Sequence, residues 1–321
     1  MVTALRFIGN VILAVLLIAL CVVLLLAAGG VVTSRVWENS GLDYGVIEGR
    51  WLWIDGQPIY TQTWGPEDGS VLVIVHDADV AGMEAWRANA ETLGKWGLRV
   101  IAVDAKGCGR SVRDAEAVYS LAEQTELLAK VLNEMHIQGA TVMGHGQGAA
   151  VALQLAAEQP QFVGRLALVA PQVYSQAQPI WQPVAEWPFV GHAAAWVCSS
   201  GGPYWLWQQR AATLDAATVG REHWTRIQDP THVEGSIVAQ LARARSSREN
   251  DVPALLSRVQ APTLIIMGQE QSEAEQQAAQ RLATALGDAR IETLSDAAGQ
   301  PHLDQPTVLN RHLSSWALAA D

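Results

Sequence analysis

Three cysteines, Cys21, Cys108 and Cys198, are all that this 321-residue chain carries, and no pair has metal-ligand spacing. A disulfide framework and a structural zinc site are therefore excluded as its basis. Basic residues are also scarce: 21 Lys and Arg stand against 32 Asp and Glu, a net charge of −11. A chain so acidic is repelled by phosphate backbones, which argues against a nucleic-acid partner. It also lacks low-complexity tracts, internal repeats and the polar bias of a disordered protein, since half its residues are hydrophobic. What it has in excess is tryptophan, 13 in all, and one long apolar run.

That run, Val11–Val32, contains no charge. As a helix it would reach about 33 Å, enough for a hydrocarbon core of about 30 Å. It is too long for the apolar core of a signal peptide, and Leu20 before Cys21 does not suit a lipoprotein cleavage site. The expectation is an uncleaved single-pass anchor over residues 1–32, then a juxtamembrane linker over 33–48. Arg6 on one side and Arg35 and Arg50 on the other leave the side of the membrane open.

Beyond the linker, a hairpin pattern (Arg50–Ile54, Ile59–Trp64) precedes short buried apolar runs that alternate with helical periodicity. Strands are expected at Val71–Val75, Leu98–Val103, Ala140–Met143, Leu166–Val169, Thr263–Met267 and Arg290–Leu294. This order predicts a mostly parallel α/β sheet with helices on both faces. Residues 172–258 interrupt it with a helical insertion that carries Trp181, Trp187, Trp196, Trp205, Trp207 and Trp224. The core is thus 49–171 plus 259–321, and the insertion is a cap. Its tryptophans suit either a small packed core or a membrane interface.

His76-Asp77 follows the first buried strand, and Asp104-x-x-Gly107-x-Gly109-x-Ser111 follows the second. Gly144-His145-Gly146-Gln147-Gly148 sits on a strand-to-helix turn, and Pro301-His302-Leu303-Asp304-Gln305-Pro306 lies near the C-terminus. In this order the motifs resemble the α/β-hydrolase family, in its subgroup with a cap. The resemblance implies a nucleophile at the centre of a G-x-S-x-G elbow, an acid after the late strand and a base before the last helix. Here those positions are Gly146, Gln271 and Gly299 or Gln300, none able to perform the family's role. The backbone N–H of Gln147 and one near Asp77 or Ala78 correspond to the family's oxyanion donors, a place where a ligand could be held.

This pattern leads to the expectation of a membrane-anchored pseudohydrolase, leaning away from enzymatic activity, that binds a lipid or a membrane-protein partner. The alternative is an active hydrolase of an ester or lipid with a relocated catalytic set drawn from Glu270, His302, His145 or Cys108. No metal or cofactor is expected. Gly144-x-Gly146-x-x-Ala149 formally fits a dinucleotide fingerprint, but the next strand ends Leu168-Val169-Ala170-Pro171 without a carboxylate, so a nucleotide cofactor is not expected either.

Overall fold

The computed structural model describes residues 2–39, 48–174, 182–187, 190–199, 203–246 and 252–319. The N-terminal helix α1 covers Val2–Asn39, so residues 33–39, expected as linker, continue the helix. Nothing between Val32 and Asn39 breaks it, since no Gly or Pro occurs there. The rest of the expected linker, 40–47, lies outside the described residues, as does Trp181. Asn10–Glu38 is long and apolar enough to cross a membrane, and its apolar stretch is not covered by the rest of the chain.

The sheet has eight strands: β1 Arg50–Ile54, β2 Gln57–Trp64, β3 Val71–Val75, β4 Arg99–Val103, β5 Ala140–His145, β6 Val163–Val169, β7 Thr263–Gly268 and β8 Ala289–Leu294. Their spatial order is β1-β2-β4-β3-β5-β6-β7-β8. Only the pairings of β2 with β1 and with β4 are antiparallel. This is the α/β-hydrolase fold. Successive side chains of β3 leave on opposite faces, as the strand period requires. Val73 and Val75 pack with α3 (Leu121–Glu134), α4 (Gly148–Glu158) and α10 (Glu273–Leu286). Leu72 and Ile74 pack on the other face with α2 (Arg87–Lys95) and α12 (Pro306–Ala317). Burial on both faces explains why these strands read as continuous apolar runs.

Between β6 and β7 the insertion folds as α5 (Val190–Ser199), α6 (Pro203–Ala211), α7 (Arg221–Gln228) and α8 (Ser236–Ser246), with the short α9 (Val252–Leu255) leading back to the sheet. Trp205 and Trp224 are buried against Val80 and Ala81 of the loop after β3, whereas Trp187 and Trp207 are each 60% exposed. The tryptophans are therefore divided between packing and surface. Trp205→Ala should cost about 3–5 kcal/mol of stability, and Trp207→Ala should stay within about 0.5 kcal/mol of the parent, as thermal unfolding of the detergent-solubilised chain would measure.

The last turns of α1 join this insertion directly. Ser34 Oγ lies 2.9 Å from His192 Nε2, and Trp37 Nε1–H donates to Thr231 Oγ1 at 2.9 Å. The Trp37 ring stacks on His232 at 4.1 Å, and Glu38 Oε1 accepts the N–H of Ile237 at 2.8 Å.

Candidate active site

Parallel strands deliver their following loops to one edge of the sheet, which is where such folds place their chemistry. Here β3 supplies His76–Asp79, β5 supplies Gly146, β7 supplies Gln271, and the loop after β8 supplies Gly299 and Gln300. The short α11 (Pro301–Asp304) adds His302. Around these residues lies a cavity of about 510 Å³, roofed by Trp207, Gln209 and His223 of the insertion. Its size suits a small-molecule ligand.

The elbow is a real one: Gly146 takes φ +55°, a conformation costly for any residue with a Cβ. Its partner Gly148 is required for a different reason, because a Cβ there would come within 2.4 Å of the carbonyl oxygens of Val75 and His76. The space above Gly146 is not empty. A Cβ at that position would lie 2.5 Å from Cγ and Oδ2 of Asp77. Asp77 Oδ1 accepts hydrogen bonds from the backbone N–H of Ala78 at 2.8 Å and of Gln147 at 2.9 Å. The two amides that correspond to oxyanion donors thus hold a carboxylate from their own chain. In the folded chain the charge of Asp77 is therefore the acceptor for that pair. Asp77 Oδ2 has no hydrogen-bond partner among the described residues.

A second carboxylate, Asp79, faces the same cavity. Its Oδ1 accepts the N–H of Ala81 at 2.7 Å and its Oδ2 accepts from Gln209 Nε2 at 3.0 Å. Gln209 in turn accepts from Gln300 Nε2 at 3.0 Å, tying one of the two expected base positions to the insertion. Burial, followed by the negative charge of Asp77, pushes the Asp79 carboxyl from its ordinary 3.8 up to about 7. Nothing in the motifs singles out Asp79; the available signal was two aspartates two residues apart directly after a buried strand.

Three imidazoles complete the lining. His302 stacks on Trp86 at 4.4 Å and meets the edge of His145 at 4.9 Å. His145 Nε2 lies 3.4 Å from the carbonyl oxygen of Gly299. Desolvation keeps both rings neutral by pulling their pKa values down, and His223 is brought down to about 4. His302 Nδ1 is buried with no hydrogen-bond partner among the described residues.

Of the other residues singled out, Gln271 is buried with its Oε1 accepting the N–H of Gly268 at 2.9 Å. Glu270 is exposed and does not line the cavity. Cys108 is fully buried outside it, its Sγ 2.9 Å from Arg243 Nη2, and burial pushes the thiol up, away from a reactive thiolate. Asp104 braces the loops, accepting from the N–H of Met83 at 2.7 Å and of Arg110 at 2.8 Å.

Residues 70–303 match the family model Hydrolase_4, described as serine aminopeptidase, S33. The chain belongs to this family. Among curated relatives, the protein of Variovorax paradoxus named "Putative carbamate hydrolase RutD" is 27% identical over 262 residues, covering 80% of this chain and 94% of its own. A hydrolase from Pseudomonas aeruginosa superposes with a TM-score of 0.69 at 20% identity, covering 86% of this chain and all of the other. A membrane phospholipase A superposes with a TM-score of 0.68 at 19% identity and covers 97% of each chain.

Membership in Hydrolase_4, with a curated relative named as a hydrolase along most of its length, overturns the expectation of a pseudohydrolase and of a chain that is not an enzyme. The displaced candidates Glu270, His302, His145 and Cys108 do not include Asp77, the side chain that enters the volume a glycine at 146 leaves open.

Proposed function

We propose that this chain is an active hydrolase of a small ester, amide or carbamate, with a relocated catalytic set centred on Asp77 and Asp79. The observation that carries the reading is the carboxylate of Asp77, standing in the nucleophile's place above Gly146 with one oxygen in the oxyanion-type amides. Water is then the attacking group. Asp77 Oδ2 takes a proton from it, and the resulting hydroxide equivalent adds to the substrate's carbonyl carbon. A protonated Asp77 is a weaker acceptor than the anion, so the N–H groups of Ala78 and Gln147 are released to the carbonyl oxygen as its charge develops. Asp79, whose carboxyl is pushed up to about 7 and so keeps its proton in about half the molecules at neutral pH, gives it to the departing oxygen or nitrogen. A carboxyl whose burial raises its proton affinity, set beside a second carboxylate, is a usual basis of such an acid–base pair. Transfer of the proton from Asp77 back to Asp79 completes the cycle. The name of the Variovorax relative supports including carbamates. The test is release of product from a panel of small esters, amides and carbamates, with Asp77→Asn as the control; no turnover in the parent chain across that panel would overturn the reading.

The membrane placement belongs to the same proposal. Residues 1–32, extended by the helix to Asn39, anchor the 49–171 and 259–321 core and its 172–258 cap to a bilayer, the lipid surface being the partner. Support comes from the length and apolarity of α1 and from the fold shared with a membrane phospholipase A along 97% of the chain. The full chain should stay with membranes through alkaline carbonate washing; its recovery in the supernatant would count against the anchor.

A further inference from the structure

The loop after β3 has two sides. Asp77 and Asp79 face the cavity already described, whereas His76 and Ala78 line a second cavity that shares none of its lining residues with the first. This second space is about 80 Å³ and lies between the sheet edge, the start of α3 and the start of α4. Its walls are mostly aliphatic, including Val103, Leu128 and Val151, with Tyr119, Gln124 and Gln147 also at the edge, and one cation borders it, Arg243 of α8.

Arg243 forms no direct ion pair among the described residues, and Asp79 acts on it only through space. No carboxylate oxygen stands within 4.0 Å of its guanidinium among the described residues. Its hydrogen-bond acceptors are neutral, Ala78 O at 2.6 Å, Lys106 O at 3.2 Å and Cys108 Sγ at 2.9 Å, and the Tyr119 ring lies 5.9 Å away. These leave Nε–H and the second Nη1 hydrogen without an acceptor among the described residues. A partly buried guanidinium facing an apolar space is costly unless an anion completes it.

We propose that this cavity is a binding site for a short-chain monocarboxylate, its carboxylate on Arg243 and its tail among Val103, Leu128 and Val151. The aliphatic wall selects an apolar body, and the single cation selects one negative charge at its end. The size sets the tail: a cavity of roughly 150 Å³ admits benzene, so about half that volume accommodates three or four carbons. The proposal concerns binding alone and does not depend on the hydrolytic reading, although Ala78 and Gln147, whose N–H groups hold Asp77, also line this cavity.

The probe is butyrate, titrated against the full chain in lipid nanodiscs and followed by ligand-observed NMR and calorimetry. Butyrate should bind saturably, and butyramide, equal in shape but uncharged, should bind at least tenfold more weakly. Arg243→Gln should weaken butyrate by the same factor, and Val151→Phe, which fills the cavity, should abolish binding. Circular dichroism checks each variant; if Arg243→Gln fails to fold, the comparison of butyrate with butyramide on the unaltered chain decides. Absence of saturable butyrate binding, equal binding of the amide, or binding that survives Val151→Phe in a folded chain would overturn the assignment.

Discussion

Replacing Asp77 with Asn should lower kcat by a factor of roughly 10² to 10⁴, the usual contribution of a general base, while the fold and KM change little. The substitution keeps the shape of the side chain, and an amide oxygen can still accept from the N–H groups of Ala78 and Gln147 that now hold Oδ1 at 2.8 and 2.9 Å. What it removes is the ability to take a proton from water. The measurement is steady-state turnover of the best substrate in the panel, with thermal unfolding recorded on the same samples. Unchanged turnover in Asp77→Asn would take the base away from Asp77. A parallel fall in unfolding temperature would assign the residue to loop structure instead.

The second large effect is a pH dependence set by Asp79. As the group that protonates the leaving atom, it must carry its proton, so kcat should fall as pH rises through about 7, where this carboxyl ionises. Asp79→Asn should abolish that limb along with most of the activity. Stability should move in the opposite sense for the variant. A carboxyl raised from 3.8 to about 7 binds its proton more tightly in the folded chain than in the unfolded one. The parent therefore loses stability as pH climbs between those two values. At pH 8 Asp79→Asn should be the more stable protein by at most about 4 kcal/mol, less to the extent that solvent reaches the side chain. Near pH 4 the difference should close. Unfolding of both proteins across this range gives the answer, and a parent whose stability rises from pH 4 to 7 would show that burial of Asp79 is not what perturbs it.

Much of this fold was legible in the chain. The runs Val71–Val75 and Thr263–Met267 announce buried parallel strands because both their faces are covered, so no polar residue interrupts them. The Gly-rich turn at Gly144–Gly148 was placed correctly between a strand and a helix. The end of α1 was not, since apolarity marks where a span stops but not where a helix stops. The site was legible only in outline. A glycine at 146 and an aspartate at 77 are complementary exchanges, one giving up volume and the other filling it. They stand 69 positions apart, and only the parallel pairing of β3 with β5 makes them neighbours. Nor could spacing reveal that Gln209, far along in the insertion, would reach back to Asp79.

The four residues from His76 to Asp79 work by parity. Odd members present carboxyl groups to one chamber and even members present a ring and a methyl to the other. Substitution at Asp77 or Asp79 therefore acts first on the polar chamber, and substitution at His76 or Ala78 on the aliphatic one. The two are joined through the backbone of the loop, since the N–H of Ala78 holds Asp77 and its carbonyl oxygen holds Arg243. This segment is consequently a shared wall, across which a change on one face reaches the other through the main chain between them.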